Sequence, residues 1–332
     1  MLMMKAIICS TLFTSLTMFS AFAQAQMWAI GHRADELEFT QNSMEAFLGA
    51  AKLGATLAEH DLRITKDHIV IVHHDPNLND NEECGAFNGK AISDITFAEL
   101  ETCRFKKEHT AIPTFEEVLQ KMKTTQTGLL IELKDGVQKD VIRMLSELDP
   151  HRDCATPHPS QEVLNKTYQC FSKTIIYSFV EGWVEDTPAL LKQHPELHRV
   201  RLLKLVPPTQ NRNLLLSANA HYWNVDGVAL EVNSMGADAE VLLAKIQAQY
   251  PHQIILIWSD NRSDNGKMDF SRLTKLPVTG IIASDIRGLI NYLKSQKSSP
   301  SENAKKLIFP INLATALLNF TTKSLRRLSF DF

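Results

Sequence analysis

Eight short apolar runs punctuate this chain, and their number and spacing constrain its fold more than any other feature. They cover residues 27–30, 56–62, 129–133, 174–179, 200–206, 227–232, 254–258 and 280–283. The connections between them are helical or irregular. After the first run, Met44, Phe47, Leu48 and Ala51 recur at helical spacing up to Gly54, a plausible stop. Helices are also predicted over 113–123, with Pro113 at the start, over 137–148 and over 238–250. Eight strands joined in this way predict an α/β chain folded as a (β/α)8 TIM barrel. No internal repeat is visible, and the connection around 212–220 is short on apolar periodicity.

Two further stretches qualify that outline. Thr65 to His68 reads as a tight turn and 69–72 as a returning arm. A small insertion after the second strand, 76–111, is rich in Asn, Gly and charge, and is predicted to fold over the mouth and shape the pocket. A polar loop is expected over 151–168. Of 332 residues, 44% are apolar and 22% charged, which is ordinary globular composition. One barrel of about 250–270 residues fits this length, and two smaller domains are also compatible with it. A net charge of −3 leaves no overall basic field, which argues against a nucleic-acid partner.

The ends carry signals of their own. Residues 1–25 read as a secretory signal: Lys5 is the basic end, 6–22 the apolar run, and Ala21-Phe22-Ala23 and Ala23-Gln24-Ala25 the small-x-small cleavage candidates. An uncleaved membrane anchor is the alternative, for which the run is short. An exported chain, periplasmic or extracellular, then retains Cys84, Cys103, Cys154 and Cys170, enough for two disulfides. Of the three pairings, Cys84–Cys103 with Cys154–Cys170 keeps each bridge within one inter-strand segment; free buried thiols are the alternative. The barrel is expected over 26–295, followed by a Ser/Lys-rich linker and an apolar tail over 296–332. From Ser301 to Phe332 five basic residues stand against two acidic ones, a net of +3. This fits peripheral contact of 305–327 with an anionic membrane, or equally a last helix packed on the barrel.

Polar clusters close three of the apolar segments: Gly31-His32-Arg33, Glu59-His60-Asp61 and His73-His74-Asp75. Polar groups at strand ends point into the mouth of a barrel. Residues i and i+2 of a strand share a face, so Glu59 and Asp61 project together, and so do Glu132 and Lys134. Side-by-side carboxylates repel unless a cation lies between them, and a hard divalent metal resolves the conflict. All-oxygen ligands point to Ca²⁺ or Mg²⁺ rather than zinc and do not separate the two. His32 and His74 supply imidazoles that exchange protons near neutral pH. His60 and His73 fall on the opposite faces and read as structural. Arg33 can clamp phosphate oxygens in bidentate fashion and Lys134 can add a point charge; both can instead bridge to the carboxylates at the mouth.

Taken together, His32-Arg33, Glu59-x-Asp61 and His74-Asp75 resemble the glycerophosphodiester phosphodiesterases. The likeness continues in Gln41-Asn42-Ser43 before Ala46-Phe47, in Thr65-Lys66-Asp67, in 112–119 and in Ile131-Glu132-Leu133-Lys134, and covers roughly 28–293. It implies Glu132 as third metal ligand beside Glu59 and Asp61, and His32 and His74 as the acid–base pair. It also implies Trp258 as an aromatic lining the substrate pocket, although core packing accounts for that residue nearly as well. The chain departs from the family where Gln41 replaces a Glu, Ala34 and His68 each replace a Gly, and Ser284 replaces a Thr. By resemblance, a metal-dependent enzyme would hydrolyse glycerophosphodiesters to glycerol 3-phosphate and an alcohol. The rivals are phospholipase D-like cleavage of lysophospholipids or sphingolipids, and a non-catalytic protein that binds phosphoryl ligands.

Overall fold

A computed structural model describes residues 27–148, 174–208, 225–259 and 268–298. Numbered in chain order, the strands are β1 Trp28–Gly31, β2 Leu57–Ile64, β3 Val70–Val72, β4 Glu82–Glu83, β5 Arg104–Phe105, β6 Gly128–Leu133, β7 Thr174–Ser178, β8 Arg201–Leu205, β9 Gly227–Glu231, β10 Ile254–Trp258 and β11 Gly280–Ala283. Setting aside β3 to β5, eight strands pair in parallel in chain order. β1 bonds to both β11 and β2, which closes the (β/α)8 barrel that the apolar runs predict.

The two faces of each strand build two cores. Ile30, Leu57, Leu130, Ile175, Leu203, Ala229, Leu256 and Ile282 fill the barrel interior. The alternate positions, such as Ala58, Leu62, Leu129, Ile131, Val228, Ile255 and Ile281, pack outward against the helices. Both faces are dry, which is why these strands read as continuous apolar runs rather than alternating ones.

The helices are α1 Met44–Leu53, α2 Phe97–Leu100, α3 Phe115–Met122, α4 Gln138–Leu148, α5 Glu181–Leu191, α6 Ala239–Gln249, α7 Phe270–Leu273 and α8 Ile286–Ser298. Gly54 does end α1: its φ of 85° is left-handed, and its N–H closes onto the carbonyls of Ala50 and Ala51. Pro113 does not open α3 as predicted. Thr114 and Glu117 form a reciprocal capping box, and the Pro113 carbonyl accepts from the Val72 N–H, so Pro113 belongs to the extended chain before the helix. α5 carries Pro188 in its interior, which hides it from a reading by periodicity. α8 runs through Ser298, past the start expected for the linker.

β2 outlasts its predicted end. Leu62 pairs with the last residue of β6, and from there on the strand turns to β3: Leu62↔Val72, Arg63↔Ile71 and Ile64↔Val70 are antiparallel. Glu59 and Asp61 therefore lie at the end of the barrel wall although not at the end of the strand. His68 takes φ 64°, so the turn keeps the left-handed conformation a glycine would adopt.

The insertion is corrected in position. It builds its own small core from Leu78, Ile92, Ile95, Leu100 and Phe105 around the Cys84–Cys103 disulfide, with Ile71 of β3 and Ile112, just after the insertion, included. It packs against the β2–β3 arm, where Lys66 N–H donates to Ile95 O, and no residue of 76–111 is among those lining the large cavity at the mouth. Its apolar residues have each other and the arm to pack on, so they do not reach across the opening. The predicted leader, the Cys154–Cys170 pair, the segment 212–220 and the apolar tail lie outside the described residues. Among the described residues, no helix is long and apolar enough to cross a membrane.

Candidate active site

The inward register that fills the barrel with apolar side chains continues upward as polar ones. On β2 the series is Leu57, Glu59, Asp61; on β6 it is Leu130, Glu132 and then Lys134; on β7, Ile175 and Tyr177. A change from apolar to ionisable within one face turns the C-terminal mouth into a site. A cavity of about 640 Å³ opens there, lined among others by His32, Arg33, His74, Glu132, Lys134 and Trp258.

Glu59, Asp61 and Glu132 are all buried, and one oxygen from each lies within 4.8 Å of the others. Burial and the neighbouring Asp61 charge push the Glu59 carboxyl up to about 7, and the same two causes push Glu132 up to about 8. Burial also works to raise Asp61, but the charges of Lys134, His74 and Arg33 prevail and hold it well below the usual carboxylate range. Lys134 Nζ bridges the group, 2.5 Å from Glu132 and 3.2 Å from Asp61. Burial opposes its charge, and those two carboxylates restore it, so its pKa lies above the ordinary value. Three converging carboxyl groups, two of them driven toward neutrality by burial and by the Asp61 charge, are a donor set that fits a hard divalent cation.

The remaining contacts fix this cluster. Glu59 accepts from the Arg33 backbone N–H at 2.7 Å and from the Tyr177 hydroxyl at 3.1 Å. Burial and the Glu59 charge hold the Tyr177 phenol well above its ordinary pKa, so it acts as a neutral donor. Asp61 accepts from Asn42 Nδ2 at 2.9 Å. Arg33 holds Gln41 Oε1 through Nη1, while its buried Nε has no hydrogen-bond partner and lies 3.8 Å from Asp61. A buried guanidinium N–H without an acceptor is costly, so an anion entering here would be welcome.

Both proposed proton carriers are present at the mouth, and each has Nδ1 on a carboxylate: His32 on Glu36 at 2.5 Å, His74 on Asp75 at 2.7 Å. Both residues line the cavity, and in each ring the carboxylate occupies Nδ1 and leaves Nε2 as the other nitrogen. The two environments differ. Burial lowers the His74 pKa. Burial acts in the same direction on His32, but the Glu36 hydrogen bond and charge outweigh it and the pKa rises. The His74 backbone is pinned by Arg63, which donates to its carbonyl at 2.9 and 2.7 Å.

His60 and His73 are structural, as their facing predicts. His60 packs between Phe47 and Phe115, and burial lowers its pKa to about 4, so it stays neutral. His73 donates to Asp75 O at 2.8 Å and meets Glu82 at 3.3 Å, tying the insertion to the β3 end. Trp258 does line the cavity, with its ring edge-on to Phe179 at 6.4 Å. The sequence reading missed Glu36, Tyr177 and Phe179. A period-2 extension of β7 beyond Ile175 would have found the last two. Glu36 carries no such signal, because it sits in an irregular turn.

Fold and site together define a (β/α)8 barrel whose mouth sets a carboxylate cluster that could hold a cation beside two imidazoles. The chain belongs to the glycerophosphoryl diester phosphodiesterase family, whose model matches residues 32–287. Lysophospholipase D GDPD1 of Homo sapiens is 31% identical over 131 residues, which is 36% of this chain and 40% of that protein. A glycerophosphodiester phosphodiesterase of Caldanaerobacter subterraneus subsp. tengcongensis is 29% identical over 116 residues, 32% of this chain and 45% of its own. The matches thus span less than half the length of these relatives. Among solved structures, the fold is shared with a glycerophosphodiester phosphodiesterase from Agrobacterium tumefaciens (TM-score 0.58, 15% identity, covering 80% of this chain and 99% of that one). It is also shared with an Oleispira antarctica phosphodiesterase in complex with sn-glycerol-3-phosphate (TM-score 0.57, 17% identity, 80% and 96% covered).

Proposed function

We propose that this protein hydrolyses glycerophosphodiesters to glycerol 3-phosphate and an alcohol, with a bound divalent cation. The observation that carries this reading is the meeting, at one barrel mouth, of a three-carboxylate cluster with two histidines whose Nδ1 atoms are held by carboxylates. Glu59, Asp61 and Glu132 would hold Ca²⁺ or Mg²⁺, which when bound supplies positive charge against the phosphate oxygens. Arg33 and Lys134 bind and orient the same phosphate. His74, kept neutral by burial, takes the nucleophile's proton on Nε2 as the new P–O bond forms. His32, kept protonated by Glu36, gives the proton on its Nε2 to the departing alkoxide as the old P–O bond breaks. The nucleophile is water or the neighbouring glycerol hydroxyl; the second passes through a cyclic phosphate, and both use the same two imidazoles. Trp258 lines the same cavity and would contact the substrate there.

The test is turnover of glycerophosphocholine by the wild type, H32A, H74A and E59A, with chelator and with Ca²⁺ or Mg²⁺ restored separately. Chelator-sensitive turnover lost in all three variants supports the proposal. Wild-type protein that binds glycerol 3-phosphate yet turns over no phosphodiester would leave a non-catalytic phosphoryl binder.

A second reading is phospholipase D-like cleavage of lysophospholipids or sphingolipids. It is favoured by the apolar side of the cavity, Leu37, Phe179, Leu205, Met268 and Ile282, and by the local identity to a lysophospholipase D. Release of choline from lysophosphatidylcholine micelles but not from glycerophosphocholine would select it. Export through the 1–25 leader belongs to the first reading, and membrane contact through 305–327 would favour the second. Equal membrane partitioning of the full chain and a chain ending at Gln296 would remove that contact.

A further inference from the structure

The sequence 32–38 forms a turn that brings Glu36 back over His32. Arg33 and Ala34 take φ of 45° and 69°, and Ala34 N–H is held by Glu59 O at 2.8 Å, so the chain reverses directly after the histidine. The Glu36 carboxylate then meets two strand ends at once. Its Oε1 lies 2.5 Å from His32 Nδ1 and accepts from Ser284 Oγ at 2.5 Å. Ser284 follows β11, whose Ala283 pairs with Gly31 and accepts the His32 N–H at 3.0 Å, so acceptor and imidazole share one rigid frame. The Glu36 side chain is 17% exposed, so water competes only weakly for it.

We propose that Glu36 is a positioning residue for His32: it fixes the ring and keeps the proton on Nδ1, so that Nε2 is the atom offered to substrate. A carboxylate is only an acceptor, so a neutral His32 beside it must carry its proton on Nδ1. Ser284 spends its hydroxyl proton on the same carboxylate and so keeps the acceptor in place. His74 has an equivalent support in Asp75, which Asn79 Nδ2 holds at 2.6 Å, but Asp75 is its chain neighbour and half-exposed. The charged groups facing His32 are Glu36, Glu59 and Arg33; of these, Glu36 alone is hydrogen-bonded to the ring among the described residues.

The proposal rests on the reading of His32 as proton donor, and E36A and E36Q separate the two. Losing an outer support of this kind costs about ten- to a hundredfold in rate. E36A should lower kcat by about that factor with KM changed less than about threefold. Its alkaline limb should move to lower pH, because His32 must be protonated to act and loses its neighbouring anion. E36Q, which keeps an acceptor oxygen and loses the charge, should move the limb as far while losing less kcat. Imidazole ¹⁵N spectra of the metal-free protein, recorded at a pH high enough to make the His32 ring neutral, supply a readout independent of turnover: Nδ1–H in the wild type, and a mixture of tautomers in E36A. An E36A enzyme with wild-type kcat and pH profile, where H32A is inactive, overturns the role of Glu36 alone. An unchanged ¹⁵N tautomer in E36A overturns it even if the wild type turns over no substrate, an outcome that would separately defeat the proposed reaction.

Discussion

Cation binding should expel protons, and the amount follows from the carboxyl cluster. Without a cation, Glu132 titrates near 8 and Glu59 near 7, because both are buried beside the Asp61 charge. At pH 7 two such groups hold about 1.4 protons between them, and both must ionise to act as ligands. One divalent ion should therefore release about 1.4 protons at pH 7 and about 0.1 at pH 9. Competition from those protons weakens binding about 20-fold at pH 7 relative to pH 9, near 1.8 kcal/mol, and about 50-fold more at pH 6. Lys134 contributes nothing to this release, since its pKa is raised and it leaves as an ammonium. Isothermal calorimetry with Ca²⁺ in two buffers of different ionisation enthalpy measures the proton count directly. E132Q should cut the release at pH 7 to about 0.5, because the Glu132 proton is gone while Glu59 keeps its burial and its Asp61 neighbour. Release below about 0.3 protons in the wild type at pH 7, or an affinity flat from pH 6 to 9, would refute the account of the cluster.

The same two carboxyls set the stability of the metal-free protein. Their folded pKa values lie above the ordinary 4.5, so the folded state binds more protons than the unfolded one between about pH 4.5 and 8. Thermal unfolding in chelator should therefore show Tm falling as pH rises through that window, and saturating cation should remove the fall. Gly31→Ala should cost about 3 kcal/mol or more in urea unfolding, because its Cβ would lie 2.1 Å from the Ala34 carbonyl oxygen, a backbone atom that cannot retreat without moving Arg33. His60→Leu should keep kcat within about threefold while changing stability by about 1–2 kcal/mol, since His60 is buried, neutral and turned from the site, and its Nε2 has no partner to lose. A loss of turnover in folded H60L would show that the outward face of β2 bears on the chemistry.

Most of the barrel was legible because burial on two sides leaves its mark in sequence. Runs such as 254–258 and 227–232 have no polar position to spare, and their ends were placed nearly right. The period of two is equally legible: it sets Glu59 with Asp61 and turns His60 and His73 away. What was illegible depended on backbone reversals. Glu36 reaches His32 only because two non-glycine residues accept left-handed φ, a choice enforced by Glu59 O and invisible in residue type. The insertion failed for a related reason. Its cysteines announced the staple between Cys84 and Cys103, but not that Ile71 would draw its core onto the arm and away from the opening. Pro113 misled because the capping pair Thr114 and Glu117 outweighs a proline's preference for a first turn.

The charge pattern at the mouth bears on which phosphate ester fits. Glu59, Asp61 and Glu132, fully ionised, stand against Arg33 and Lys134, with Gln41 neutral where it holds the Arg33 guanidinium. Those five charged groups sum to −1, the protonated His32 cancels Glu36, and Asp75 is exposed enough to be screened by water, so a bound dication would bring the buried site to +1. A phosphodiester carries one negative charge and closes the balance in a low-dielectric cavity, where an uncompensated charge is costly. A phosphomonoester dianion, which is what glycerol 3-phosphate becomes above its second ionisation, would overshoot by one. With a cation bound as proposed, the site would therefore favour a phosphodiester over a phosphomonoester, and the preference should sharpen as pH rises. A product inhibition constant that tightens between pH 6 and pH 8 would contradict this ordering, because it would mean that the second negative charge is welcomed rather than repelled.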